Sequence, residues 1–129
     1  MKELLLVCIG SFFGGGMRYL VALLHERLTG PTAVAYGSFP WATFAVNVLG
    51  CLLIGLFTGI AVSGHLPAQW KLVLVTGFCG GFTTFSTFMN ENYLLGKDHL
   101  LMLAIYTLAS LALGMAALVV GYKIAETLS

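Results

Sequence analysis

Hydrophobic and polar positions fall in long blocks along this chain. Lys2 and Glu3 precede an apolar run over residues 4–24, which closes at His25-Glu26-Arg27. The stretch from Thr29 to Pro40 then holds the turn formers Gly30, Pro31, Gly37 and Pro40. A second apolar run covers residues 41–62 and ends at Ser63-Gly64-His65-Leu66-Pro67. A third covers residues 68–95, stopped by Gly96-Lys97-Asp98, and a fourth covers residues 99–120, before Tyr122, Lys123 and Glu126. A helix crosses a bilayer with about 20 apolar residues, so each block is long enough for one crossing. Pro31, Pro40 and Pro67 all lie between blocks, where the proline ring breaks no helix. The pattern predicts an all-α membrane protein, one domain over residues 1–129 with four transmembrane helices.

Composition removes the alternatives. Of the 129 residues 59% are hydrophobic and 9% charged, whereas a soluble domain carries about 25% charged residues. Too little polar material remains for a water-facing surface, which excludes a soluble enzyme, a secreted disulfide scaffold and a disordered chain. A formal charge of +1 leaves no basic field for nucleic acid. The first apolar run is too long for a signal peptide and has no small-x-small cleavage site before Arg27, so it reads as a retained helix. Cys8, Cys51 and Cys79 each lie inside an apolar block with no His or carboxylate nearby, and read as small buried thiols rather than disulfide partners or metal ligands.

Charge placement bears on orientation. Four crossings put both termini and the loop at residues 63–71 on one side, with Lys2, Lys71 and Lys123; Arg27 and Lys97 lie on the other, and Arg18 lies inside a span. Topology follows the side richer in Lys and Arg, and this distribution is nearly balanced. The expectation is insertion in both directions and an antiparallel, dual-topology homodimer in the lipid bilayer. The alternative is a single topology fixed by a marginal charge difference.

Polar groups at membrane depth are costly and point to function. Arg18 follows Gly10, Gly14, Gly15 and Gly16; Gly10 and Gly14 have the small-xxx-small spacing that lets helices approach closely. Arg18 reads either as a snorkelling side chain near a helix end or as a positive charge drawing an anion into a vestibule. Thr43 and Asn47 share a helix face, and the Asn47 amide can either replace water around a small anion or glue two helices together.

The third block is the most informative. Near its middle it reads Gly77-Phe78-Cys79-Gly80-Gly81-Phe82-Thr83-Thr84-Phe85-Ser86-Thr87-Phe88. Glycine costs a helix about 1 kcal/mol per position relative to alanine, so this composition predicts a helix broken near the bilayer centre. The carbonyls freed there must be buried, line water or bind an ion; near a dimer axis, two copies could enclose one small cation. Close packing of the glycines is the competing reading. Phe85 and Phe88 share a face with Thr84, beside Ser86 and Thr87, and their positive ring edges can solvate an anion or simply pack. Glu91 is an acid either well inside the block or at its interface with Asn90 and Asn92. In the fourth block Tyr106 and Ser110 stand four apart, with Gly114 beyond; with Thr43 and Asn47 they could form a hydrogen-bonding track, or each hydroxyl could bond its own helix. No Ser/His/Asp set, phosphate loop or metal cluster is visible, so no enzyme is expected.

These residues resemble the CrcB/Fluc fluoride channels of microorganisms. The resemblance spans the whole chain: its length, four spans, Gly14 and Arg18, the block Thr43-Phe44-Ala45-Val46-Asn47-Val48-Leu49-Gly50, and the residue 77–88 block. It implies an antiparallel homodimer in the plasma (inner) membrane, with two fluoride pores and a central sodium ion. Carried over by motif position, Gly80 and Thr83 would supply the sodium-binding carbonyls, Phe85 and Phe88 the pore rings, Asn47 the pore amide and Arg18 the vestibule charge. Thr43, Glu91, Tyr106 and Ser110 would line the exit, beside Thr84 and Ser86, while Gly114 stands where some relatives have serine. The implied function is passive fluoride export. Two other classes compete: a small multidrug transporter, which needs an acid in the first span where this chain has Arg18 and only Glu3, and a non-conducting structural subunit.

Overall fold

The computed structural model describes residues 1–30 and 37–129, so the expected turn former Pro31 lies outside the described residues. Helix α1 spans Lys2–Thr29 and α2 spans Trp41–Val62. Residues 68–82 form α3, Phe85–Asp98 forms α4, and Leu100–Leu128 forms α5. Four segments are long and apolar enough to cross a membrane; α3 and α4 together make one of them, Ala68–Asp98. Among the described residues every regular element is helical, and the chain is a multi-pass membrane protein.

The outer helices outrun their apolar blocks. α1 has 28 residues, about 42 Å at 1.5 Å per residue, against a hydrocarbon core of about 30 Å. It continues through His25-Glu26-Arg27 because a helix satisfies its own backbone in lipid and water alike. The charges mark the end of the apolar environment, not of the helix. α1 stops at Gly30, whose φ of +80° only glycine adopts freely.

Two helix pairs make the frame: α1 lies along α3, and α2 along α5. Lipid tails are as apolar as the helices, so close van der Waals approach must hold them together, and both contacts are built on glycine. A Cβ on Gly77 would stand 2.7 Å from the Val7 carbonyl oxygen and 2.9 Å from the Gly10 Cα; one on Gly81 would stand 2.7 Å from the Ser11 carbonyl oxygen. Gly10 and Gly14 face this contact from α1, both buried. The Ser11 hydroxyl adds a hydrogen bond to the Gly77 carbonyl at 3.3 Å. In the second pair Gly55 sits against the Leu118 carbonyl and Gly121 against the Leu52 carbonyl.

The third span is interrupted, but not at its glycines. Leu72–Cys79 is wound as a π-helix, Gly80–Phe82 completes one further turn, and the chain then extends at Thr83 (ψ 157°) and Thr84 (φ −149°, ψ 114°) before α4 begins. Gly77 and Gly81 are helical and serve the approach of α1, whereas the break falls on two β-branched residues at the middle of the span. Large apolar side chains line the outside, among them Phe12 and Leu108, as a lipid-facing surface requires.

Candidate functional site

The break positions everything around it. Thr84 caps α4: its hydroxyl oxygen accepts the Thr87 N–H at 3.3 Å, and the hydroxyl also reaches the Thr87 Oγ1 at 3.0 Å. Its backbone is held from α2. The Thr84 N–H donates to the Asn47 Oδ1 at 2.8 Å, and the Asn47 Nδ2 donates to the Thr84 carbonyl at 3.2 Å. The N–H that would close a helical turn on the Gly80 carbonyl therefore points to α2 instead. Thr83 turns its hydroxyl back to the Cys79 carbonyl at 2.9 Å and lays its methyl group over Gly50, where any larger residue would collide with it.

Two cavities meet at Thr84. One, of about 300 Å³, is lined by Asn47, Cys51, Phe85, Phe88 and Ser110 as well as by Thr83 and Thr84. The Ser110 Oγ is buried there without a hydrogen-bond partner. The other, of about 250 Å³, is lined by Arg18, Tyr19, Thr43, Thr84 and Thr87. No ion pair involving Arg18 occurs among the described residues. Phe85 is 75% exposed and Phe88 only 8%; their ring centroids lie 6.1 Å apart, and Phe88 also packs 5.1 Å from Tyr106.

Glu91 lies between helices. One carboxylate oxygen accepts the Thr43 hydroxyl at 2.5 Å and the other the buried Tyr106 hydroxyl at 2.7 Å, tying α2, α4 and α5 together. Thr43 and Tyr106 therefore meet through Glu91, while Asn47 and Ser110 share a cavity wall. The four do not form one direct hydrogen-bonded chain. Ser86 is exposed, with its hydroxyl 3.5 Å from that of Thr84. Gly80 is exposed, and a Cβ placed on it would meet nothing within 4 Å. Gly114 is buried against Cys51, whose Sγ would lie 3.4 Å from an added Cβ, so this position packs helices.

This arrangement coincides with a sequence match. The family described as CrcB-like protein, Camphor Resistance (CrcB), matches residues 5–122. The chain belongs to the CrcB family. It is 42% identical over 127 residues to the fluoride-specific ion channel FluC of Phocaeicola vulgatus, covering 98% of this chain and 100% of that one. It is similar also to the proteins of that name from Prosthecochloris aestuarii, 43% identical over 131 residues with 99% and 96% covered, and Rhizobium leguminosarum, 40% identical over 131 residues with both chains covered in full.

In this CrcB member two further residues stand beside the site with little to mark them in the sequence. The buried Asn92 side chain donates to the Phe88 carbonyl at 3.0 Å and accepts the Thr107 hydroxyl at 2.8 Å. Asn92 lies four residues after Phe88 and next to Glu91, the only sequence signal that it stands inside. Phe39, ahead of α2, packs 5.4 Å from Tyr106 and 5.1 Å from Phe44. Among the described residues no group of three His, Cys, Asp or Glu side chains could hold a metal ion.

Proposed function

We propose that this protein is a passive, fluoride-selective ion channel, a channel and not an enzyme, which exports fluoride across the plasma (inner) membrane. The observation that carries the reading is the cavity joining the Asn47 amide, the partnerless Ser110 hydroxyl and the rings of Phe85 and Phe88 beside the helix break. The names of the relatives supply the ion.

The chemistry follows from hydration. A small anion sheds tightly held water only where donors replace it. One Asn47 N–H is spent on Thr84, which leaves the second for the cavity. The Ser110 hydroxyl has no competing partner, and the Phe85 and Phe88 rings offer weakly positive edges. Arg18 raises the local anion concentration at the adjoining cavity. The Thr43–Glu91–Tyr106 cluster and Thr84 complete the polar lining, with Ser86 at its edge. A larger halide needs less solvation and fits these groups less well.

A four-helix chain encloses no complete pore, and the exposed Gly80 and Phe85 leave the break open on one side. The working unit is an antiparallel homodimer in the bilayer with two pores. A sodium ion at its centre would be held by the Gly80 and Thr83 carbonyls. Gly80 fits such an ion: the Thr84 N–H is diverted from it to Asn47, and a Cβ placed on Gly80 would meet nothing within 4 Å in the protomer. Backbone oxygens suit a hard alkali cation. When bound, it would supply a fixed positive charge between the two breaks.

The test is anion efflux from proteoliposomes. Fluoride should leave under a potassium–valinomycin shunt while chloride stays. Equal leakage of both would defeat the reading, no leakage would favour a structural subunit, and proton-coupled uptake of a cationic dye would favour a multidrug transporter.

A further inference from the structure

Beside Phe88, Glu91 and Tyr106 lies one more buried polar group, the Asn92 amide. Asn92 is 8% exposed. Its Nδ2 donates back to the Phe88 carbonyl at 3.0 Å, and its Oδ1 accepts the Thr107 hydroxyl at 2.8 Å. Alongside, Glu91 accepts the Tyr106 hydroxyl at 2.7 Å. Two consecutive residues of α4 thus bond two consecutive residues of α5 across the turn at His99.

That adjacency has a mechanical consequence. Successive residues stand about 100° apart around an α-helix, so the two bonds hold α4 at two different angular positions. Glu91, bonded to Thr43 and Tyr106, holds α4 at one angular position about which it can still roll; Asn92 adds the second and removes that freedom. The roll of α4 decides where Phe88 points, because Phe88 lies one turn from Asn92 and its ring packs on Tyr106 at the cavity wall. Asn92 is fastened to that same turn through the Phe88 carbonyl.

We infer that Asn92, held by Thr107, is a positioning residue that sets the angle at which Phe88 meets the anion cavity, and with it the discrimination between fluoride and larger anions. The inference rests on the fluoride-channel reading.

The experiment compares fluoride and chloride efflux from proteoliposomes of the wild type, Thr107→Val, Thr107→Ser and Asn92→Ala. Fluoride-selective flux in the wild type checks the channel reading itself; without it, that reading fails and this inference falls with it. Thr107→Val keeps the side-chain shape and removes the hydroxyl. It should lower the fluoride-to-chloride flux ratio about fivefold, the size of one interhelical hydrogen bond in a membrane. Thr107→Ser should restore the wild-type ratio. Asn92→Ala removes the same bond from the other helix without added bulk and should shift the ratio in the same direction, which keeps the test decisive if Thr107→Val folds poorly. A wild-type ratio in either bond-deleting variant overturns the inference, as does a Thr107→Ser protein as altered as Thr107→Val.

Discussion

Asn47 holds Thr84 on both sides of one residue, accepting its N–H at 2.8 Å and donating to its carbonyl at 3.2 Å. A residue in a sheet would find both partners on a neighbouring strand; here one amide side chain from α2 replaces that strand. Unsatisfied backbone inside a membrane costs several kcal/mol, so the break in the third span persists because Asn47 completes it.

Replacing Asn47 by Leu removes both bonds at once. We expect a loss of about 1 to 3 kcal/mol in stability, read as a lower thermal midpoint in detergent. Fluoride flux should fall by about tenfold or more, since the donor facing the cavity goes as well. A native flux would detach the clamp from conduction.

The two rings separate stability from transport. Phe88 is 8% exposed and Phe85 is 75% exposed. Phe88→Ala should cost about 3 to 5 kcal/mol and lower both stability and flux. Phe85→Ile should change protomer stability by less than about 1 kcal/mol while cutting fluoride flux sharply. Thermal melts beside proteoliposome efflux check the pair, and unchanged flux in Phe85→Ile removes that ring from the pathway.

Two glycines of the same motif should behave oppositely. A methyl group on Gly77 meets the α1 backbone at 2.7 to 2.9 Å, whereas one on Gly80 meets nothing within 4 Å in the protomer. Gly77→Ala should reduce the yield of folded protein. Gly80→Ala should leave the protomer folded and lower the dimer fraction in size-exclusion chromatography, because the space beside Gly80 is where a second copy and its cation would sit.

Sodium dependence tests the freed carbonyls. Replacing sodium with N-methyl-D-glucamine should lower the thermal midpoint of the dimer, since a ligand that binds only the assembled state stabilises it by mass action. A midpoint indifferent to sodium would remove Gly80 and Thr83 as cation ligands.

Orientation can be read directly. Lys2, Lys71 and Lys123 on one side nearly balance Arg27 and Lys97 on the other. A tag after Ser129 should be accessible from both membrane faces in comparable amounts. Accessibility from one face alone would rule out the antiparallel dimer.

Much of this was legible in the chain, for reasons of scale. A crossing helix must stay apolar for about 20 residues, so hydropathy located the four spans without any knowledge of contacts. The i, i+4 spacing of Gly10 and Gly14 named the face that packs on α3, because one helix alone sets that geometry. The polar residues inside the blocks also stood out, since lipid tolerates few of them.

Where the chain breaks, and which polar groups meet, the tertiary structure decided. Glycine's cost to a helix, about 1 kcal/mol, pointed to a break near the middle of the span, within residues 77–88, but not to its residue. Close approach of α1 outweighs that cost at Gly77 and Gly81, and the backbone opens at Thr83 and Thr84, where Asn47 can satisfy it. Thr43 and Tyr106 meet through Glu91, and Asn92 meets Thr107, because of how α4 is rolled against α2 and α5. Spacing within a helix says which residues share a face, but the register and rotation between helices choose the partner across the gap. The sequence by itself determined a four-span membrane protein with a polar, interrupted third span; only packing between helices turned those polar residues into two cavities meeting at Thr84.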